Sequence, residues 1–438
     1  MLDLLMLTGV KPIGRRFDED GRMIIIATAD LPEPETCPNC GGSVIYKHGT
    51  RSYQYVDTPM HGKAVAIEIE RRRYRCPACG TVITPELPDL DDKRIATKRL
   101  VSYVQDRCFN ATFNAIANET GLLLNTVKSI TLDYAQWLET NRSRITPRIL
   151  GIDEVMIGGE YRAVMTNLEM KTIYDIQEKR TLASLTKFFQ AINDRDSIEW
   201  IAADMWGPYK SLFAAQAPQA KFVIDKFHVV RMASDALEQI RKSLQKTLSQ
   251  EDALLIKKNI RWSLLKGKNK RTDSDWEIIE HIRQYHPRLA IAFDLKEAFY
   301  AIYNNDTRQD AEKAFQEWEQ SIPLEYKKEF GGVAKTVNNH HQDIFNYFDC
   351  PITNAYTESF NGLLQVVNRM GRGYSYEVLR AKLMYSKVAM QSGQIVGTRD
   401  VHKDKLLFED STSVMIKSCD YGAHIPTLND ISEREDSD

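Results

Sequence analysis

Two pairs of cysteines constrain the fold of the N-terminal part of the chain more than any other feature. They occur as Cys37-Pro-Asn-Cys40-Gly and Cys76-Pro-Ala-Cys79-Gly. Each pair places two thiolates on a tight turn that its glycine permits, and four thiolates complete a tetrahedral zinc site with no open position. The pairs are widely spaced, but the cost of closing a loop grows slowly with its length. We therefore predict a structural Zn²⁺ site, with four buried or redox-active cysteines as the alternative.

The segment between the cysteine pairs is predicted to be a small β module with a basic surface. Residues 64–70 follow the alternating pattern of a half-buried strand. Basic side chains outnumber acids in the segment and include Lys47, His48, Arg51, Lys63, Arg71, Arg72, Arg73 and Arg75. This imbalance favours contacts between the four arginines at 71, 72, 73 and 75 and nucleic-acid phosphates, although a solvated strand edge would have a similar composition.

Two short apolar stripes that meet at Gly121 predict a pair of packed helices after this module. The stripes consist of Phe113, Ile116 and Ala117, and of Val127, Ile130, Tyr134 and Trp137. Two helices joined by a glycine turn are typical of a helix-turn-helix, although an ordinary helical hairpin has the same pattern. Short polar side chains at the start of the second helix face outward in this prediction and can reach base edges or phosphates: Asn125, Thr126, Lys128 and Ser129.

Three acidic residues stand where a two-metal phosphoryl-transfer site would need them. Asp153 and Asp204 lie in or at the end of apolar runs that are predicted strands, and Glu358 lies on a predicted helix. Carboxylates brought together there would repel one another by roughly 4 kcal/mol per pair at about 4 Å and an effective dielectric near 20. Divalent cations remove that cost, and a pair of them supports cleavage and transfer of phosphodiesters. The pattern predicts a site for Mg²⁺ or Mn²⁺.

The order of elements around the first two acids predicts a mixed α/β sheet. Residues 148–228 read as three strands, a helix, a strand, a helix and a strand, and residues 229 to about 350 then show almost only helical periodicity. Asp225 and His228 follow the last strand as accessory candidates. Asp225 is a fourth acid. His228 would orient the Asp225 carboxylate, contact DNA or act near the scissile phosphate, with a packed, hydrogen-bonded histidine as the alternative.

Positive charge recurs at two later places. On the Glu358 helix an apolar stripe is predicted to pack on the sheet, which leaves Arg369, and then Arg372 in a Gly-Arg-Gly break, free for phosphate. Residues 257–271 carry seven basic residues and no acid. From this run we select Trp262, Lys266, Lys268, Lys270 and Arg271. They suit backbone binding with base stacking, although a solvated basic loop would look the same.

Composition limits the class of protein. A chain of 438 residues is too long for one ordinary core, and a net charge of −2 argues against a uniformly basic nucleic-acid binder without excluding local patches. We find no apolar stretch of about 18 residues and no signal-peptide pattern, so a cytoplasmic protein without a membrane partner is expected. The three remaining cysteines stand alone, unlike those of a disulfide framework.

Taken in order, these features resemble those of the DDE transposases of bacterial insertion sequences, specifically the ISL-three family. The motifs that carry the resemblance span most of the chain. They are Asp57-x-Pro-x-x-Gly62-Lys63, Arg72-Arg-Tyr-Arg-Cys-Pro-x-Cys-Gly80, Gly151-Ile-Asp-Glu154, Asp204-Met-Trp-x-x-Tyr209, Asp225-Lys-Phe-His-Val-Val-Arg231, and the Glu358 helix with Gly371-Arg-Gly-Tyr374. The helix after Glu358 departs from the Asn-x-x-Asn and lysine-rich pattern of related members.

The resemblance implies a multidomain α+β protein with seven segments. They are an N-terminal segment (1–36), a zinc ribbon-like β module (37–90), a helix-turn-helix DNA-binding domain (91–146), an RNase H-like mixed α/β core in two parts (147–228 and 351–400), an all-α insertion (229–350), and a C-terminal segment with an acidic tail (401–438). Asp153, Asp204 and Glu358 would be the catalytic Mg²⁺ ligands. Asp225 with His228 would match the acid-x-x-His motif of related transposases with helical insertions.

The implied activity is metal-dependent cleavage of DNA at the terminal inverted repeats of an insertion sequence, followed by attack of the freed 3′-hydroxyl on target DNA. The expected partners are double-stranded DNA and further copies of the chain, because pairing two DNA ends needs a dimer or a larger assembly. Two rivals are a transposase-derived DNA-binding regulator without catalytic activity and an RNase H-like nuclease without strand transfer. Association with the nucleoid would follow from the DNA partner.

Overall fold

The computed structural model describes residues 5–141, 144–247 and 260–386. Over these ranges the protein is mixed α/β, with two sheets and 14 helices. The described residues divide into two compact units, 5–141 with 364–386, and 144–247 with 260–363. Within the described ranges, no helix is both long enough and apolar enough to cross a membrane.

The first unit is built on a seven-stranded sheet. Its strands, β1 to β7, are Val10–Phe17, Met23–Ala29, Tyr46–Met60, Lys63–Arg75, Val82–Ile83, Leu90–Asp91 and Ala96–Thr97. They pair in the order β1-β2-β4-β3-β7-β6, with β5 on β4. The strand predicted over residues 64–70 is found within β4, where Ile67 and Ile69 alternate into a core that includes Tyr55 of β3.

The helices of this unit are α1 to α3 and α14: Lys98–Arg107, Phe113–Thr120, Leu124–Asn141 and Tyr376–Tyr385. Helix α2 begins after Thr112, whose side chain accepts a hydrogen bond from the Ala115 N–H, and ends at Gly121 with φ of +75°. Glycine adopts this left-handed conformation at little cost, which is why the chain turns there into α3. The predicted pair of helices around Gly121 is therefore found.

The second unit contains a five-stranded sheet. Strands β8 to β12 are Ile149–Ile157, Glu160–Asn167, Thr172–Gln177, Trp200–Ala203 and Lys221–Ile224, in the order β10-β9-β8-β11-β12. Strands β8, β9 and β10 are antiparallel, whereas β11 runs parallel to both β8 and β12. Helices α4 (Leu182–Gln190) and α5 (Gly207–Gln216) complete the element order predicted from the sequence and share a core with the sheet.

Helices dominate the rest of this unit. Helices α6 to α12 are Lys226–Gln245, Arg261–Leu265, Asp273–Tyr285, Pro287–Ala301, Arg308–Ser321, Phe330–Asn339 and His341–Asp349. Helix α13, Ala355–Met370, begins in this unit, and its residues from 364 onward are counted with the first unit. The first seven bury a core of their own that also includes Ile224 at the end of β12. The helical stretch predicted after β12 is thus found in the described residues. The first three residues of the basic run at 257–271 and the predicted acidic tail lie outside the described residues.

Candidate active site and zinc site

The four paired cysteines come together on two similar turns. Cys37 Sγ lies 3.6 Å from Cys79 Sγ, and Cys40 Sγ lies 3.6 Å from Cys76 Sγ. All four sulfurs lie within 4.8 Å of one another. Thiolates about 2.3 Å from one zinc ion stand about 3.8 Å apart in a tetrahedron, so the arrangement fits Zn²⁺.

The backbone of each turn explains why a glycine follows the second cysteine. Gly41 and Gly80 have φ values of +72° and +73°. Each donates its N–H to the carbonyl of the first cysteine of its pair, Cys37 or Cys76. The repeated Cys-Pro-x-Cys-Gly sequence therefore produces two equivalent knuckles that face one another.

The strands and helices of the second unit bring Asp153 and Asp204 together with His228, and place Glu358 next to that histidine but outside the group of three. Asp153 lies in β8, and Asp204 follows β11, the parallel neighbour of β8. Glu358 and His228 occupy the first turns of α13 and α6. His228 Nε2 lies 2.6 Å from Asp204 Oδ1 and 3.9 Å from Glu358 Oε1. One ligand atom each from Asp153, Asp204 and His228 lie within 4.8 Å of one another.

The site carries a surplus of negative charge. Burial raises the pKa of Asp153 to about 7, and the carboxylates of Asp204 and Glu358 act in the same direction. Burial also raises the pKa of Glu358, assisted by Asp225 and Asp204. Contact with Asp204 raises the pKa of His228. In the part of the chain that the structure describes, no lysine or arginine lies within ion-pair distance of Asp153, Asp204 or Glu358, so these oxygen ligands fit a hard divalent cation.

Asn361 is a residue of the site that the sequence analysis missed. Its Nδ2 donates a hydrogen bond of 2.8 Å to Asp153 Oδ2. Its Oδ1 is buried and has no hydrogen-bond partner among the described residues. A buried acceptor beside the Asp153 carboxylate suits a water molecule or a cation in the site. The side chain therefore fixes one oxygen of Asp153 and offers another polar atom next to it.

The face of α13 that docks on the sheet is more polar than the sequence suggests. Of the predicted apolar stripe, Phe360 and Leu364 are buried, whereas Leu363 and Val367 are partly buried. Asn354, Thr357 and Asn361 form a second, polar stripe, in which Asn354 Nδ2 donates to the Ile152 carbonyl and Thr357 Oγ1 lies 2.7 Å from Thr166 Oγ1. The spacing of three and four residues in this stripe was visible in the sequence, but its partners were not.

The close approach of α13 to β8 depends on Gly151. A Cβ atom at this position would lie 2.6 Å from Thr166 Oγ1 and 2.8 Å from Thr357 Oγ1. Real Cβ contacts are longer than this, so a side chain would force α13 away from the strand. The glycine two residues before Asp153 thus permits the helix that carries Glu358 to reach the site.

Asp225 is engaged in backbone hydrogen bonds and is not placed as a metal ligand. It is fully buried, its Oδ1 accepts a 2.7 Å hydrogen bond from the Phe227 N–H, and its Oδ2 accepts one from the Asn354 N–H. Both oxygens are therefore used to cap α6 and to hold the residue before α13. Glu154, the next acid along β8, is occupied by Arg180 and by the Tyr209 hydroxyl 3.1 Å away.

The structure gives two of the selected arginines structural positions instead of exposed ones. Arg71 is 2% exposed, and its guanidinium donates to Tyr55, Asp92 and the Pro85 carbonyl. The side chain of Arg271 is fully buried and pairs with Glu297. A guanidinium enclosed by such partners is unavailable to DNA without local unfolding, so neither arginine is retained as a phosphate contact.

The remaining selected residues are mostly accessible. Those exposed are Arg72, Arg75, Asn125, Lys128, Ser129, Trp262, Lys268, Lys270, Arg369 and Arg372, whereas Arg73 and Thr126 are partly buried. Lys266 pairs with Asp275 at 2.7 Å. Exposure makes a contact with DNA sterically open to these side chains, and it does not by itself distinguish them from a solvated surface.

The raised pKa of Asp153 predicts that the metal-free protein loses folding stability as the pH rises. The folded state holds this proton more tightly than the unfolded chain does, so stability falls as pH rises from about 4 through about 7. Between pH 5 and pH 8 we expect the second unit to lose on the order of 2 kcal/mol from this group. Asp153→Asn should remove much of that loss and raise the melting temperature at pH 8 in EDTA.

Scanning calorimetry in EDTA at both pH values measures this effect. Addition of Mg²⁺ at pH 8 should stabilise the wild type and leave Asp153→Asn little changed. Asp196→Asn, which alters an exposed acid of the same unit, serves as the control and should follow the wild type. An Asp153→Asn variant with the same pH dependence as the wild type would show that this carboxyl is not the destabilising group.

Comparisons with known proteins relate the chain to transposases. A family model of the ISL3 DDE class, described as a transposase, matches residues 150–383, a range that contains Asp153, Asp204 and Glu358. A second model, described as the zinc-finger of transposase IS204/IS1001/IS1096/IS1165, matches residues 33–79 and contains all four paired cysteines. The transposase for insertion sequence element IS1001 of Bordetella parapertussis is 23% identical over 365 residues, which cover 82% of this chain and 89% of that protein.

Proposed function

The chain belongs to the ISL3 family of transposases, and on that premise we propose that it binds the terminal inverted repeats of an insertion sequence and catalyses Mg²⁺-dependent cleavage and strand transfer. The observation that carries the proposal is the convergence of Asp153, Asp204 and His228, with Glu358 3.9 Å from the histidine and no lysine or arginine of the described residues paired to the acids. A solvated surface does not hold a buried carboxylate whose pKa is raised to about 7.

Each residue of the site has a role that its contacts support. Asp153, Asp204 and Glu358 would hold Mg²⁺ or Mn²⁺, and such cations activate an attacking oxygen and stabilise a leaving oxygen when bound. Asn361 orients the Asp153 carboxylate through its 2.8 Å hydrogen bond. His228 holds the Asp204 carboxylate. The half-exposed Glu358 side chain leaves that edge of the site accessible to a DNA strand.

We further propose the domain roles that the resemblance implies. The sheet order of the second unit, with antiparallel β8 to β10 and parallel β11 and β12, supports an RNase H-like core with a helical insertion. Helices α2 and α3 around Gly121 support a helix-turn-helix, with the exposed Asn125, Lys128 and Ser129 presented to DNA. Because two element ends must be joined together, the active form would be a dimer or a larger assembly.

The proposal is tested by incubating the purified chain with Mg²⁺, DNA that carries the flanking element ends, and a target plasmid. Joined products with new strand junctions support a transposase. End binding without cleavage would instead identify a regulator, and cleavage without joining would identify a nuclease. A precleaved end with a free 3′-hydroxyl separates the joining step from the cleavage step.

Strands β3 and β4 form an antiparallel pair, which we call the β3–β4 ribbon. Phosphate contacts by this ribbon provide a separate prediction. Each neutralised phosphate changes the slope of log K against log salt by about 0.9, so Arg72→Gln with Arg75→Gln should flatten the slope for end DNA by about 1.8. Preference for the end sequence should be unchanged, because phosphate contacts position a protein without reading bases. Binding titrations at several salt concentrations give both quantities.

Two variants serve as controls for this measurement. Lys327→Gln with Lys328→Gln removes two exposed charges from the helical insertion and should leave the slope as in the wild type. Arg71→Gln should instead destabilise the first unit, because it removes a buried guanidinium that donates to Tyr55, Asp92 and the Pro85 carbonyl. A slope unchanged by the double substitution at Arg72 and Arg75 would show that these arginines belong to a solvated surface and do not contact phosphates.

A further inference from the structure

A groove in the helical insertion lies apart from the carboxylate site. It has a volume of about 710 Å³ and is bounded by the turn at Lys268–Lys270, helix α8 and helix α9. This volume is within the range of about 300–1,000 Å³ that is usual for sites of small ligands. The groove is therefore large enough to receive a nucleotide.

The wall of the groove is held rigid by buried charge. The Arg271 guanidinium pairs with Glu297 at 2.5 and 2.9 Å and lies 5.2 Å from the centre of the Trp276 ring. Lys296, also fully buried, pairs with the same Glu297 and donates to the Leu264 carbonyl. Trp276 nevertheless keeps 41% of its surface exposed. A large aromatic ring is thus fixed from behind and open in front, as a stacking surface requires.

The charge of the groove favours an anionic ligand. Among the lining residues, Arg271 and Arg283 are neutralised by Glu297 and Asp294. Lys268 and Lys270 are exposed and have no ion-pair partner in the described ranges of the chain. Two uncompensated ammonium groups therefore stand at the turn beside the exposed tryptophan.

We propose that this groove binds an unpaired nucleotide of a DNA strand, with its base stacked on Trp276 and its phosphates against Lys268 and Lys270. In a duplex each base face is covered by its neighbours, so a base can reach a protein ring only where the strand is open. The inference rests on the proposed function in taking DNA as the ligand. It adds a site that recognises an open strand independently of sequence.

The test measures the affinity of the full chain for a fluorescently labelled oligothymidylate and, separately, for duplex DNA carrying the element end. Loss of one stacked base weakens binding by about 5- to 150-fold, so Trp276→Ala should lower single-strand affinity by that factor, and Trp276→Phe should stay within about threefold of the wild type. Lys268→Gln with Lys270→Gln should flatten the single-strand salt slope by about 1.4. Duplex affinity should change little in the tryptophan variants.

Tyr285→Ala is the matched control. Tyr285 is 58% exposed on the same helix as Trp276 but does not line the groove, so its loss should have little effect on oligothymidylate binding. An equal loss in Trp276→Ala and Tyr285→Ala would overturn the assignment of the groove, as would wild-type affinity in Trp276→Ala. If Trp276→Ala fails to fold, an unchanged salt slope in the lysine variant overturns it instead.

The two proposals fail in different ways. A wild-type chain that does not bind oligothymidylate removes the groove proposal, while duplex binding and strand transfer still decide the proposed function. If the chain binds oligothymidylate through Trp276 but neither cuts nor joins element ends, the groove proposal stands and the proposed transposase activity is wrong.

Discussion

Replacement of Asp153 or Asp204 by asparagine is expected to lower cleavage and joining by at least about 10³-fold while specific binding of end DNA persists. The amide has the same shape as the carboxylate but cannot neutralise a divalent cation, and the loss of several kcal/mol of charge stabilisation corresponds to this factor. Gel-based cleavage and strand-transfer assays measure the activity. Mobility shifts with the same DNA in EDTA measure the binding.

Glu358→Gln should have the same effect, although its more exposed side chain gives the residue more freedom than the two aspartates have. Asp196→Asn is the control, since this exposed acid lies in the same unit and outside the site. Activity within a few fold of the wild type in either aspartate variant would remove that residue from the catalytic set. If Glu358→Gln stays active, Glu154 or Asp225 becomes the next acid to change.

Zinc removal is expected to have the largest effect on the stability of the first unit. Zinc binding by four thiolates contributes on the order of 10 kcal/mol of folding free energy to a module of this kind. A strong chelator, or Cys37→Ser with Cys40→Ser, should therefore unfold the knuckles and the basic ribbon next to them and weaken end binding. The thermal transition of the second unit should remain.

Cys350→Ser provides the control, because this cysteine lies in the second unit and away from the four-cysteine cluster. Metal analysis should find one tightly held zinc per chain in the wild type and in this control. Less than about half an equivalent in the wild type would indicate free or redox-active cysteines, contrary to the tetrahedral site.

Local sequence patterns were sufficient for much of the framework. The Cys-Pro-x-Cys-Gly repeats predicted facing knuckles because turn geometry and metal geometry are both local, and the order of strands and helices around Asp153 and Asp204 followed from periodicity. Gly121 marked the turn between α2 and α3 for the same reason. These features need no knowledge of which distant residues meet.

The parts that could not be predicted depend on contacts between distant positions. Asn361 and Asp153 are 208 residues apart in the chain, so nothing near either residue reveals their hydrogen bond. In the sequence, Arg271 is one more member of a basic run, whereas in the structure its side chain is buried and paired with Glu297. An arginine on a surface and one in a buried ion pair have the same local sequence, and only the packed structure separates them.

The two hydrogen bonds of Asp225 have a consequence for the evolution of the fold. One carboxylate joins the first turn of α6 to Asn354, a residue 129 positions later. The two ends of the helical insertion therefore meet at a single point of the core. A segment whose two ends meet can lengthen, shrink or be exchanged without separating the residues on either side of it. Asp225 thus allows the insertion to diversify as an independent module while the carboxylates beside it keep their spacing.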